Sequence, residues 1–208
     1  MKPKAQLIYI HDPMCSWCWG YAPTWSRLQA LLNDDIEVIY KVGGLAADSD
    51  TDMPVQMQTM LQQTWCTIAT KLGTEFNFDF WRVCKPRRST YPACRAAIIA
   101  RASDKESQMI AAIQQAYYLE AKNPSDDDVL CQLAQELGIC SAEEFRQQLV
   151  SSAVNEQLIE ELNYIRRLPI QGFPSLVIKQ HNHLYPISVN YTDAQATYSE
   201  INTVLSSI

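Results

Sequence analysis

The order of hydrophobic and polar residues divides the chain into three blocks. In the first, a short apolar run, a stretch with apolar residues at helical spacing and a second apolar run predict a strand, a helix and a strand. In the second, from about residue 54 to 168, the pattern is helical and strand patterns disappear. In the third, two β-rich runs and a closing amphipathic stretch predict a hairpin and a helix. The predicted strands are 6–10, 37–42, 175–179 and 183–187.

Capping and stop signals mark the ends of the predicted helices. Ser141 and Glu144 belong to a capping box, Gly73 follows the last periodic residue of one helix, and Thr192 or Asp193 begins the final one. The polar, acidic stretch 45–54 is predicted to be a linker, and the aromatic residues of 76–81 are predicted to lie in a loop. The helices predicted in the middle block are 55–72, 92–102, 105–122, 125–137, 141–150 and 154–168.

The order of these elements predicts an α/β fold. A strand, a helix and a strand within about 40 residues are typical of a βαβ unit with parallel strands and a right-handed crossover. Since the two ends of the chain must pair to complete one sheet, the helical block is an insertion. We therefore predict a βαβ–ββα domain formed by residues 1–48 and 169–208, with an all-helical insertion domain at 49–168.

Composition excludes several classes of protein. Of 208 residues, 47% are hydrophobic and 19% are charged, which is enough apolar material for a core. The formal net charge of −6 argues against a nucleic-acid partner. No apolar run approaches the roughly 20 residues of a membrane span, and no secretory signal is recognisable. We therefore expect a cytoplasmic protein with no membrane partner, and the odd cysteine count of seven fits a reducing compartment.

The strongest chemical signal is the run Cys15-Ser16-Trp17-Cys18, placed where the first strand ends and the first helix begins. Unpaired N–H groups and the helix dipole favour a thiolate there. Cys15, at the mouth of the helix, is predicted to be the exposed nucleophile, and Cys18, nearly one turn deeper, to resolve a mixed disulfide. A zinc site is the alternative, but no second CxxC or CxH pair exists, so no metal is expected.

Residues beside this motif are candidates for tuning it. His11 could modify Cys15, although a histidine at a strand end is more often structural. Asp12 could relay protons to Cys18, although such an aspartate is more often a cap or turn residue. Trp17 and Trp19 are predicted to be partly exposed and, with Ser16, to bind clients or partners, whereas Trp25 is predicted to lie in the core.

A second part of the site is predicted at Gly172-Phe173-Pro174, just before the third strand. A turn before an edge strand is the simpler interpretation of this proline. In a fold that carries CxxC, it also fits a cis-proline loop that faces the cysteines. The backbone of Phe173 would then offer its N–H and C=O to an extended substrate.

The other cysteines, histidines and basic residues have simpler interpretations. Free cysteines are commonly small buried hydrophobic residues, and this is the default for those outside the motif, except that Cys94 could approach Cys15. The basic cluster is expected to be a solvated loop unless it lies near Cys15, and the hairpin histidines lack a third metal ligand. These residues are Cys66, Cys84, Cys94, Cys131 and Cys140; Lys85, Arg87 and Arg88; and His181 and His183.

Taken together, these motifs resemble the thioredoxin superfamily, specifically its DsbA-like branch and the cytosolic FrnE-like and predicted protein-disulfide isomerase members. The stretch from Ser89 and Thr90 to Arg95 is similar to one in these relatives and implies that Thr90 lies near the active site. The acid that relatives bury under the resolving cysteine corresponds to Tyr9 here. The dipeptide Ser16-Trp17 also differs, so the redox potential cannot be transferred.

The resemblance implies a thiol–disulfide oxidoreductase that acts on disulfide-containing or thiol client proteins. Reductase or isomerase activity is expected in a reducing cytosol, with glutathione or a thioredoxin-type protein as reductant and no cofactor besides the redox-active disulfide. The same architecture occurs in kappa-class glutathione transferases and hydroxychromene-carboxylate isomerases, which typically carry serine where this chain has Cys15. A glutathione-dependent transferase or isomerase is therefore the first alternative, and a client-binding chaperone is the second.

Overall fold

The computed structural model describes residues 5–207 as four strands and nine helices. In chain order these are β1 (Ala5–His11), α1 (Ser16–Leu31), β2 (Ile36–Val42), α2 (Val55–Leu72), α3 (Phe80–Val83), α4 (Tyr91–Arg101), α5 (Glu106–Tyr118), α6 (Asp127–Glu136), α7 (Ala142–Leu149), α8 (Ser152–Ile165), β3 (Ser175–Gln180), β4 (His183–Ile187) and α9 (Ala194–Ser206).

The four strands form one mixed sheet in the order β2-β1-β3-β4. β1 is parallel to β2 and antiparallel to β3, and β3 is antiparallel to β4. Tyr9 lies opposite Tyr40 on one side and Leu176 on the other, which sets the register around the middle of β1. The predicted pairing of the two ends of the chain is therefore confirmed, and the fold is the predicted α/β thioredoxin fold.

β1 is buried on both faces, and its alternating side chains enter two different cores. Leu7 and Tyr9 pack in a cluster with residues of α1 and α9. Ile8 and Ile10 pack in a second cluster, with residues of α4 and α8. A central strand with apolar side chains on both faces is expected where helices cover both sides of a sheet. Packing on both faces of the sheet holds the C-terminal end of β1 in a fixed position, and the CxxC motif follows directly after it.

The helices α2–α8 lie between β2 and β3 in the chain, and α4–α7 build a further core among themselves. α8 is also tied to the sheet by Glu161, which accepts hydrogen bonds from Lys41, Arg101 and the backbone N–H of Val42. The division into two domains, with boundaries at 48 and 168, stays a prediction. Residues 1–4 and 208 of the predicted βαβ–ββα domain lie outside the described residues.

Three of the predicted helix ends are confirmed by capping geometry, whereas the helices predicted at 105–122 and 154–168 end earlier, at Tyr118 and Ile165. Gly73 ends α2 in the left-handed conformation, Ser141 and Glu144 form the capping box of α7, and Asp193 caps α9. The loop predicted at 76–81 is wrong at its end, since α3 begins at Phe80, which packs among buried aromatic rings. Within residues 5–207, no helix is long and apolar enough to cross a membrane.

Candidate active site

The two cysteines lie at the junction of β1 and α1, with Cys15 at the N-cap of the helix and Cys18 in its first turn. Both are free thiols. Cys18 is fully buried, as the depth argument predicts, but Cys15 is only 7% exposed. The expectation of an exposed Cys15 is therefore wrong. The reason is the loop before β3, which approaches so closely that the Cys15 thiol contacts the Phe173 carbonyl oxygen at 3.6 Å.

The surroundings of Cys15 favour its thiolate. The side chain of Cys18 makes the largest contribution, a hydrogen bond that lowers the pKa of Cys15. The backbone N–H groups of Cys18 and Trp17, at the start of α1, lower this pKa further, while burial and the charge of Asp12 oppose them. The net effect is a Cys15 pKa below its ordinary value, as expected for a thiolate at a helix N-terminus.

Cys18 behaves in the opposite way. Burial raises the pKa of Cys18 well above its ordinary value, and the neighbouring Cys15 adds to the rise. The pair therefore consists of one acidic, nucleophilic sulfur and one protonated sulfur beneath it. This is the asymmetry that the predicted roles require, although the roles themselves stay predictions.

The loop before β3 forms the opposite wall of the site. The Phe173–Pro174 peptide bond is cis and Pro174 is buried, as predicted. The ring of Phe173 rests on Gly43, where a Cβ atom would lie 2.4 Å from the ring. Beside this ring is a cleft of about 490 Å³ that Leu162 and Ile170 also line. The loop thus presents a backbone carbonyl to Cys15 and a partly apolar cleft next to it.

Asp12 organises the floor of the site. Its carboxylate is fully buried and accepts hydrogen bonds from the backbone N–H groups of Met14 and Leu45, each at 2.8 Å, and from the Thr90 hydroxyl at 2.7 Å. Burial raises the pKa of Asp12, and these hydrogen bonds oppose the rise. Asp12 therefore lies at the site, and it joins three separate segments of the chain.

Two residues of the helical region contact Asp12. Thr90 precedes α4, and its hydroxyl also accepts a hydrogen bond from the backbone N–H of Ala46 at 3.1 Å. The buried thiol of Cys94 contacts the Asp12 carboxylate at 3.6 Å. The expected approach of Thr90 and Cys94 to the site is thus observed. Sequence reasoning missed Leu45 and Ala46, because a polar linker carries no signal for which backbone groups it presents.

His11 is buried next to the motif but carries no positive charge for Cys15. Its ring stacks on Tyr9 at a centroid distance of 5.2 Å and meets Tyr40 edge-on. Neither ring nitrogen has a hydrogen-bond partner among residues 5–207. Burial lowers the pKa of His11 to about 3, so the imidazole is neutral near pH 7. The proposed charge effect on Cys15 is therefore not supported.

The predicted substrate-binding residues of α1 lie in different surroundings. Ser16 and Trp17 are half-buried at the start of the helix, and Trp17 meets Tyr191 edge-on. Trp19 stacks on Tyr118, and its indole N–H donates to the Glu75 carbonyl. Both tryptophans are thus half-buried and packed against aromatic rings, and Trp19 makes a hydrogen bond in addition. The core position predicted for Trp25 is confirmed.

Three tyrosines are coupled electrostatically to the two cysteines, and sequence reasoning singled out only Tyr9 among them. The pKa values of Tyr9, Tyr118 and Tyr191 are raised, first by burial and also by the charges of Cys15 and Cys18. Tyr118 belongs to α5 and Tyr191 to the segment before α9. Their spacing in the sequence gives no indication that they meet at the motif. Tyr118 and Tyr191 both pack on tryptophans of α1, Tyr118 on Trp19 and Tyr191 on Trp17.

Several other candidates lie elsewhere. Arg87 pairs with Asp126 at 2.5 Å, which places the centre of the predicted basic cluster on the helical region. Cys66 is exposed on α2, and His183 is exposed on β4. In the described part of the chain, no group of three or more metal-ligating side chains comes together.

The sequence from residue 6 to 196 matches the DSBA-like thioredoxin domain, and the chain belongs to that family. The fold is similar to that of a candidate protein disulfide isomerase from Nitrosomonas europaea, with a TM-score of 0.85 and 26% identity over 98% of each chain. It is also similar to the cytosolic disulfide reductase DsbM from Pseudomonas aeruginosa, with a TM-score of 0.80 and 22% identity over 98% of this chain and 100% of that chain. The same reductase solved with GSH gives a TM-score of 0.76 and 22% identity, covering 97% of this chain and 99% of that chain.

Among curated proteins, the ClpXP adapter protein SpxH from Bacillus subtilis (strain 168) is 24% identical over 186 residues. The alignment covers 88% of this chain and 60% of that protein. The chain thus spans about 60% of the length of the curated relatives that it matches.

Proposed function

We propose that this member of the DSBA-like thioredoxin domain family is a thiol–disulfide oxidoreductase, with Cys15 as the nucleophile and Cys18 as the resolving thiol. One observation carries the proposal. The sulfur of Cys15, whose pKa is lowered at a helix N-terminus, lies 3.6 Å from the Phe173 carbonyl that precedes a cis-proline. A nucleophilic sulfur is thereby placed beside backbone groups that can hold an extended substrate.

In the first step, the Cys15 thiolate attacks one sulfur of a substrate disulfide. A bond forms between Cys15 and that sulfur, the substrate S–S bond breaks, and the other substrate sulfur leaves as a thiolate that takes a proton from water. The backbone of Phe173 aligns the substrate chain, with Pro174 holding the loop in place. Ser16, Trp17 and Trp19 contact the substrate from the α1 side.

In the second step, Cys18 loses its proton and attacks the Cys15 sulfur. The Cys15–Cys18 disulfide forms, and the remaining substrate sulfur leaves as a thiolate. The substrate has then gained two electrons, and a thiol reductant must return two electrons to the protein disulfide. Burial keeps Cys18 protonated until the mixed disulfide forms, since it raises the pKa of Cys18.

The reductase or isomerase direction is proposed from the reducing compartment that the odd number of cysteines fits. The lowered pKa of Cys15 by itself stabilises the dithiol form and favours oxidation of a substrate. The charge of Asp12 opposes the Cys15 thiolate and so reduces this tendency. Disulfide-containing client proteins are the substrates that this direction requires, and a cytoplasmic location would supply the reducing conditions. Glutathione is the reductant of first choice, since a similarly folded reductase was solved with it.

The test combines an equilibrium with an activity. The Cys15–Cys18 potential is measured against glutathione, and reduction of insulin disulfides is followed with glutathione as the electron source. We expect a potential in or below the glutathione range of about −220 to −260 mV. A strongly oxidising potential near −120 mV would contradict the reductase direction. A Cys15 pKa at its ordinary value, with no stable Cys15–Cys18 disulfide, would refute the oxidoreductase function.

Variants separate the proposed activity from its alternatives. Cys15→Ser should abolish turnover, Cys18→Ser should accumulate a mixed disulfide, and the exposed Cys66→Ser should retain activity as the matched control. Conjugation or isomerisation of an electrophile with glutathione that survives in Cys18→Ser would favour a glutathione-dependent transferase or isomerase. Suppression of client aggregation that survives in Cys15→Ser, with no turnover in the parent protein, would favour a client-binding chaperone.

A further inference from the structure

The hydroxyl of Tyr118 is buried without a hydrogen-bond partner. The side chain is fully buried in α5, and its oxygen is one of the few buried polar atoms among residues 5–207 that no hydrogen bond satisfies. Burying a hydroxyl removes its hydrogen bonds to water, so a group that gains none in exchange is unfavourable in this state of the protein. Such a group calls for an explanation, and a partner that exists in another state of the site is one.

The position of Tyr118 indicates where this partner is. Its ring stacks on the indole of Trp19, with centroids 5.7 Å apart and planes 12° apart. Trp19 donates its backbone N–H to the carbonyl of Cys15, one helical turn earlier, so the two side chains share a face of α1. Side chains on a helix also lean towards its N-terminus, which brings the Trp19 indole towards Cys15. Met14, which precedes Cys15, packs against the same aromatic cluster.

Electrostatics agree with this placement. The pKa of Tyr118 is raised well above its ordinary value, first by burial and then by the charges of Tyr117, Cys15, Cys18 and Asp12. The neighbouring Tyr117 differs in the charged groups that shift its pKa. The causes that raise the pKa of Tyr117 are burial and the charges of Asp12 and Cys84, without either cysteine of the motif, and Arg88 opposes them. Of the two adjacent buried phenols, only Tyr118 is thus coupled electrostatically to the two sulfurs, and it makes no hydrogen bond to either of them in this state.

We propose that Tyr118 is a further catalytic residue, whose phenol donates a hydrogen bond to the Cys15 sulfur when that sulfur is a thiolate. The inference rests on the proposed function and deepens it. The phenol keeps its proton throughout, since its neighbourhood disfavours the phenolate, and no bond or electron is exchanged with it. The thiol of Cys15 has its own proton to offer to the Phe173 carbonyl, whereas the thiolate has only lone pairs. A phenol donor would add to the Cys18 thiol and the backbone N–H groups of Trp17 and Cys18, which already stabilise this thiolate.

This donor acts in both directions of the exchange. It increases the fraction of Cys15 that is thiolate before attack, and it stabilises the same thiolate when another thiol displaces it from a mixed disulfide. Hydrogen bonds to a charged group are roughly twice as strong as those between neutral groups, so the thiolate gains more than the thiol. The unpartnered hydroxyl of the dithiol structure is then the expected resting state of such a donor.

The experiment compares the parent protein with Tyr118→Phe and with Tyr117→Phe as the matched control. Alkylation of Cys15 by iodoacetamide is followed from pH 4 to 9, together with thiolate absorbance and the thermal unfolding of the reduced protein. For Tyr118→Phe we expect about tenfold slower alkylation at pH 6, which corresponds to about 1.4 kcal/mol of lost thiolate stabilisation. The Tm of the reduced protein should not fall, because the removed hydroxyl has no partner there. Tyr117→Phe should leave the alkylation profile unchanged.

The other outcomes separate this inference from the proposed function. If Tyr118→Phe alkylates like the parent while Cys15 and Cys18 still cycle, Tyr118 is not a donor and the oxidoreductase function stands. If Tyr118→Phe lowers the Tm of the reduced protein without changing the pH profile, the hydroxyl has a structural partner and the inference is wrong. If the parent shows no acidic Cys15 and no turnover, both the inference and the proposed function are wrong.

Discussion

Acid should destabilise this protein in part through His11. The imidazole lies at the end of β1, fully buried between Tyr9 and Tyr40, and its two nitrogens have no partner within the described residues. Burial lowers the pKa of His11 from an ordinary value of 6.5 to about 3. The charge of Arg101 lowers the pKa further, and that of Glu161 opposes it. Over most of the acid range, this ring is therefore protonated only when the protein unfolds.

The sign of the pH effect follows from the two pKa values. Because the folded pKa of His11 lies below the unfolded one, the unfolded chain binds the proton more tightly. The contribution to stability is complete above about pH 6.5 and is lost as the pH falls towards 3. Linkage over this window gives a loss of about 2 kcal/mol by pH 5 and about 3 kcal/mol by pH 4.

The assay has to isolate His11 from the carboxylates that titrate in the same range. The raised pKa values of Asp12 and Glu106 favour the folded state at low pH, and the lowered pKa of Glu161 has the opposite effect. Comparing the parent with His11→Phe cancels these contributions, since both proteins share them. Phenylalanine keeps the aromatic packing and removes the two unpartnered nitrogens.

Urea unfolding of the reduced protein would be measured at intervals from pH 4 to 8. We expect His11→Phe to gain about 2 kcal/mol relative to the parent between pH 8 and pH 5. His183→Gln, which removes an exposed histidine of β4, is the control and should not change the comparison. Parallel stability curves for the parent and His11→Phe would refute the reasoning, because they would mean that the buried imidazole is protonated as readily as in the unfolded chain.

Two further predictions concern the contacts around the cysteines. Thr90→Val removes a donor to buried Asp12 and an acceptor for a backbone N–H, so urea unfolding should show a loss of about 3 kcal/mol. Thr90→Ser, which keeps the hydroxyl, should lose less than about 1 kcal/mol, and equal losses would contradict the hydrogen-bond argument. Gly43→Ala would place a Cβ atom 2.4 Å from the Phe173 ring and should slow disulfide reduction about tenfold in kcat/KM by displacing that loop. Gly172→Ala, whose added Cβ would meet no described atom within 4 Å apart from its chain neighbours, should leave the rate unchanged. If Gly43→Ala and Gly172→Ala slow the reaction equally, displacement of the loop by the Phe173 contact is not the cause.

The secondary structure and the sheet were largely predictable, because each depends on a local pattern. The apolar run of β1, the helical spacing of α1 and the capping box of α7 are all read within about ten residues. The pairing of the chain ends followed because a hairpin alone could not complete a sheet. The errors lie where packing decides, as in the loop at 76–81, where burial of Phe80 among aromatic rings accompanies a short helix.

For the candidate site, too, local features were predictable and long-range contacts were not. The sequence alone determined that two cysteines at CxxC spacing occupy the start of a helix, since this spacing and the strand before it are local features. It also indicated the loop of Phe173 and Pro174. The tertiary structure alone decided that this loop covers Cys15, 158 residues away, and that Thr90 reaches Asp12 across 78 residues.

The physical reason is the range of the interactions. Periodicity and caps report on neighbours along the chain, whereas burial, pKa and hydrogen-bond partners depend on which segments the core brings together. His11 is neutral because helices and strands close around it, and the Tyr118 phenol lies near the motif because its ring stacks on Trp19. The sequence thus determined that two cysteines at CxxC spacing begin a helix, and the tertiary structure decided their exposure, their pKa values and the groups that contact them.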